Sequence, residues 1–167
     1  MRSFWGALLL ILFSQSSAWA QTQALWPSAP VLKNSDCILE ILAKKMNITL
    51  DAKKARPAIK PQDKITLEEY QDAVEKFWGW RPSAIVNVYN PVTNQIFLNT
   101  TVEFYLPRGR TIFDSLAHEY VHFLQLNYLG RDPDDSYNED EAVEVQTWFR
   151  ETFASQMKGL DFQCPGK

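Results

Sequence analysis

The sequence predicts an α+β domain in which a small antiparallel sheet lies between two pairs of helices. Three observations predict it. Helical spacing of apolar residues stops at Gly79 and resumes only at Thr111. The stretch between them is rich in β-branched and aromatic residues, interrupted by turn chemistry. The helix that opens at Thr111 is apolar around much of its circumference, as a central buried element is.

Taken in order, Arg2, the apolar run Phe4 to Phe13 and the small-x-small triplet Ala18-Trp19-Ala20 read as a cleavable export signal over residues 1–20. The apolar run is too short to span a bilayer comfortably, so no stable membrane insertion is expected after cleavage. The remainder, 21–167, is long enough for one domain with its own core and too short for two. Residues 21–34, with Pro27 and Pro30, read as an extended lead-in. Ser35 or Asp36 can cap a first helix from Cys37 to Met46, with Ile38, Ile41 and Leu42 on one side. Residues 51–65, with Pro57 and Pro61 among lysines, read as a mobile connection. Thr66-Leu67-Glu68-Glu69 is a capping box, and Leu67, Tyr70, Val74 and Phe77 keep helical spacing up to Gly79.

Residues 84–89 and 95–98 are β-rich runs joined by Asn90-Pro91-Val92-Thr93-Asn94, which predicts a hairpin. Residues 101–106 read as a third strand, stopped at Pro107-Arg108-Gly109. Thr111 and Asp114 form a second cap, opening a helix that runs to about Leu129 with Gly130 at its stop. A polar loop containing Pro133 leads to a last helix, 137–158.

Formal charge is −3, or −4 once Arg2 is removed with the signal, which argues against nucleic acid as a partner. Basic residues gather between Lys44 and Lys64 and acidic ones between Asp132 and Glu144; both runs read as solvated faces. The two cysteines, Cys37 and Cys164, form an even pair that reads as a disulfide in an oxidising compartment.

Chemistry concentrates in the long helix. The two histidines of the chain stand at His118 and His122, and the stretch reads His118-Glu119-Tyr120-Val121-His122. One helical turn separates the imidazoles, so both project from one face and can share a metal ion. Glu119, one position round, can reach a metal-activated water without ligating the metal, which makes it the candidate general base. Catalytic zinc uses three protein ligands, and with no third histidine the third must carry oxygen or sulfur. Glu139, Glu141 and Glu144 are within reach on the last helix. Glu139 lies on the flank of the Ala142, Val145 and Phe149 stripe that suits it best, and Ala142 lets the two helices approach.

His118-Glu119-x-x-His122 followed by Asn138-Glu139-x-x-Ala142 resembles the gluzincin clan of zinc peptidases. The hairpin with Ile96-Phe97-Leu98-Asn99 is similar to that of small His-Glu-x-x-His domains of the ImmA/IrrE sort. The resemblance covers about half the chain, residues 85–153, and implies a minimal zincin-like domain, its sheet packed on the central motif helix. It implies Zn²⁺ held by His118, His122 and Glu139, with Glu141 as the alternative that spacing favours, since sixteen residues separate His122 from Glu139. Where the clan steadies a histidine with Asp, this chain has Val143, and Asp114 is the candidate for that task. Tyr128, Tyr137 and Arg110 are open candidates for stabilising an oxyanion.

The function implied is hydrolysis of a peptide or protein substrate by an exported, periplasmic or secreted, metallopeptidase. The substrate would lie as an added strand along 95–99 or 102–106. The rival readings are a zincin-like binding module without catalysis, or a zinc hydrolase of a non-peptide amide.

Overall fold

The computed structural model describes residues 24–154 and 162–165. The predicted signal segment and the last turns of the predicted C-terminal helix lie outside them. The described residues form an α+β arrangement of five α-helices and a small mixed sheet. The helices are α1 (Ala29–Lys45), α2 (Leu67–Trp78), α3 (Val102–Tyr105), α4 (Ile112–Asn127) and α5 (Tyr137–Phe153). The strands are β1 (Ala58–Pro61), β2 (Val88–Asn90) and β3 (Gln95–Leu98).

Both predicted capping boxes are present, at Thr66/Glu69 and at Thr111/Asp114. Gly79 ends α2 in the left-handed region at φ 73°, which a residue without Cβ adopts without strain. Helix α1 begins eight residues earlier than the predicted Cys37, and the stretch expected to be extended is helical from Ala29. Pro30 is compatible with this because it stands in the first turn, where a missing N–H costs nothing, and Val31 is fully buried.

The sheet departs further from expectation. The hairpin exists: β2 pairs antiparallel with β3, Tyr89 opposite Ile96. Residues 58–61, expected within a mobile connection, instead form β1, which pairs parallel with β3, Ile59 opposite Ile96. The order is β1-β3-β2, so the sheet is mixed rather than antiparallel and β3 is its centre. Residues 101–106 are not a third strand but the short helix α3 and the turn after it. Helical geometry brings the buried Tyr105 hydroxyl to Asn99 O and Asn87 Oδ1 and its ring onto Trp26, 5.1 Å between centroids.

Alternation along β3 explains how the sheet is covered. Ile96 and Leu98 face a core shared with α1, α4 and α5, including Leu42, Phe113, Leu116 and Phe149. Phe97 points the other way, into a smaller cluster with Tyr70 and Val74 of α2 and Val88 of β2. Cys37 of α1 and Cys164 stand at disulfide distance, Cα atoms 6.2 Å apart. No helix among the described residues is long and apolar enough to cross a membrane.

Candidate metal centre

Helix α4 carries both histidines toward α5, against which it packs most extensively, and the fully buried Ala142 makes that approach possible. One helical turn places His118 Nε2 and His122 Nε2 3.1 Å apart. From the first turn of α5, Glu139 reaches them with both carboxylate oxygens, 3.5 Å from His118 Nε2 and 3.4 Å from His122 Nε2. A tetrahedral zinc with bonds of about 2.0–2.1 Å has ligand-to-ligand edges of about 3.3–3.4 Å. The two imidazole nitrogens stand near such an edge, whereas the Glu139 distances belong to different oxygens. Taken one donor per residue, the three atoms lie within 4.8 Å of one another, a set that fits zinc in donor chemistry and would close slightly around it.

The alternatives for the third ligand stand elsewhere. Glu141 is committed to Arg131, 2.7 Å away, and accepts a hydrogen bond from Gln125 Nε2 at 2.9 Å. Glu144 is exposed and outside the converging group.

Glu119 is 5 % exposed, and its carboxylate accepts the Tyr89 N–H of β2 at 2.7 Å. The sheet edge thus fixes the carboxylate beside the histidines. Burial pushes the Glu119 carboxyl up to about 7, against the opposing pull of His118 and the Tyr89 N–H. Burial also lowers His122, reinforced by the charge of His118. In His118 the same burial is outweighed by the hydrogen bond to Glu139 and by the charges of Glu119 and Glu139, so it rises. The bond to His118, with the neighbouring His122, holds Glu139 below the usual carboxylate range despite partial burial.

Asp114 does not steady a ligand, contrary to expectation. Its fully buried carboxylate accepts Thr111 N–H at 2.5 Å and Thr111 Oγ1 at 2.7 Å, and meets Arg150 at 3.3 Å. The helix cap and the ion pair occupy both oxygens, and His118 Nδ1 is buried without a hydrogen-bond partner.

The residue that steadies a candidate ligand is Gln125, one turn beyond His122. Its Oε1 lies 3.0 Å from His122 Nδ1, while its Nε2 donates to Asn138 O and Glu141 Oε2, both at 2.9 Å. With both amide hydrogens used, Oε1 can only accept, so His122 Nδ1 carries the proton and Nε2 presents its lone pair to the site. Arg131, through Glu141, closes a chain that locks α4 to the start of α5. Sequence reasoning missed this role; the three-residue spacing from His122 along one helix face was the available signal.

A cleft of 510 Å³ opens over the histidines, lined by Phe77, Trp78, Val88 and Tyr89 of the β2 edge, Asp134 and Asp135. A smaller recess of 200 Å³, containing Phe104, Arg110 and Val143, continues past His118, Glu119 and Glu139. Of the three oxyanion candidates, Arg110 alone lines either cavity. The Tyr128 ring lies under the Lys54 ammonium, 4.6 Å away, and the exposed Tyr137 under the Arg131 guanidinium. The expected substrate edges are corrected as well: β3 is paired on both sides and 102–105 is helical. The strand edge that lines the cleft is β2.

The chain matches no protein-family model, no curated protein and no solved structure.

Proposed function

We propose that this chain is an exported zinc-dependent metallopeptidase with a minimal zincin-like arrangement of gluzincin type. One observation carries the reading. His118, His122 and Glu139 present ligand atoms that all lie within 4.8 Å of one another, in the same cleft as the buried Glu119 carboxylate. A site serving structure alone has no use for that fourth group, whereas a hydrolase needs a base beside its metal.

Zinc, when bound, supplies Lewis acidity that makes a water easier to deprotonate and a carbonyl easier to attack. His118, His122 and Glu139 would hold it, and Gln125 keeps the His122 lone pair turned toward it. Glu119 takes the proton of the attacking water at its carboxylate and delivers it to the departing amine. Its burial and the Tyr89 N–H keep the carboxylate from swinging away. The substrate backbone runs along the β2 edge through the cleft. Export agrees with the Cys37–Cys164 pair.

Replacing Glu119 with Gln tests the reading. The variant should bind zinc as the parent does and lose chelator-sensitive cleavage of a broad peptide library by at least about a hundredfold. Surviving turnover would remove Glu119 from the reaction. A parent that holds zinc but cleaves no peptide would favour a binding module.

A further inference from the structure

We propose that Arg110 is a carboxylate-recognition residue, and that the groove takes a peptide carrying a carboxylate on the Arg110 side of the bond to be cut and an aromatic or apolar side chain on the other. The proposal rests on the hydrolase reading above and names its substrate class.

Arg110 stands apart from the other arginines of the described residues. Arg56, Arg81, Arg131 and Arg150 are each paired with carboxylates, and Arg108 donates to Phe104 O. The Arg110 guanidinium has no hydrogen bond or ion pair among the described residues and is exposed. Its position gains the fold nothing: it precedes the Thr111 cap of α4, where the helix dipole disfavours a cation. Yet it lines the recess shared by His118, Glu119 and Glu139, and its charge is felt at His118. A planar, unpaired guanidinium lining such a recess suits bidentate capture of a carboxylate.

The groove is asymmetric around the histidines. Phe77 and Trp78 line the larger cleft and not the Arg110 recess, and offer it aromatic surface, with Trp80 stacked on Trp78 at 5.3 Å. Asp134 and Asp135 line the same cleft and would repel an anion there. A carboxylate therefore settles in the Arg110 recess and an uncharged aromatic group in the larger cleft, which orients a peptide across the histidines.

Equilibrium binding tests this without requiring turnover. Acetyl-Phe-Glu, with two carboxylates, and neutral acetyl-Phe-Gln-amide are titrated against the full chain, and cleavage of longer Glu and Gln peptide pairs is followed in parallel. The parent should bind the anionic probe at least about tenfold more tightly. Arg110→Gln should bring the ratio below about twofold, and Arg110→Lys should leave an intermediate ratio. Equal binding of the two probes by the parent, or a preference that survives Arg110→Gln, overturns the assignment. Charge-selective binding without cleavage would keep Arg110 in place and sink the peptidase reading; cleavage without charge selectivity would do the reverse.

Discussion

Replacing Gln125 with Leu should weaken zinc binding although Gln125 touches no metal. Its Oε1 is the acceptor at His122 Nδ1, 3.0 Å away. Leucine matches the size and leaves the imidazole free to rotate and to put its proton on Nε2, the atom the site needs bare. Loss of such a supporting partner typically costs about 10–100-fold in metal affinity, or about 1.4–2.8 kcal/mol. The same change removes the Gln125 bond to Asn138 O, a carbonyl inside α5, at an additional cost to folding of about 0.5–1.5 kcal/mol. Glu141, still paired with Arg131, keeps a partner. Zinc affinity is read by competition with a chromophoric chelator at pH 7.5, on samples whose folding is verified by far-UV circular dichroism. Glu141→Gln is the control: it weakens the Arg131 pair but retains an acceptor for Gln125, so affinity should stay within about threefold. A folded Gln125→Leu chain that binds zinc within about twofold of the parent would refute the assignment of the His122 lone pair.

Two further outcomes follow from the geometry. Glu139→Ala should lose most of the bound zinc while Glu144→Ala keeps it, measured by metal analysis after gel filtration; the opposite pattern would move the third ligand along α5. The Cys37–Cys164 pair closes a loop with a sequence separation of 127 residues. Replacing both with Ser should lower stability in urea by up to about 5 kcal/mol on the loop-entropy account, and an unchanged midpoint would mean that the pair is not bonded in solution.

Local chemistry made some elements readable and left others hidden. The caps at Thr66 and Thr111 are complete within four residues, so α2 and α4 could be placed from spacing alone. The His118–His122 pair needs one helical turn and was equally plain. Strand β1 could not be seen that way. Ala58-Ile59-Lys60-Pro61 owes its conformation to parallel pairing with β3, more than thirty residues on, and ends in a proline that an edge strand can hold. Residues 101–106 carry β-favouring side chains, but a run this short fits either period, and the buried hydroxyl of Tyr105 decides for helix. Asp114 showed both a cap and a possible ligand partner, and Arg150, 36 residues away, claimed the oxygen that the cap left. Choosing Glu139 over Glu141 required knowing that Arg131 and Gln125 hold the latter.

Metal content of the purified chain tests the central claim most directly. Expressed from the full sequence and analysed by elemental mass spectrometry, the parent should carry about one zinc per chain, and His118→Ala and His122→Ala should carry almost none. A folded parent that takes up no zinc when the ion is supplied, or that holds it equally well without either imidazole, would contradict the account.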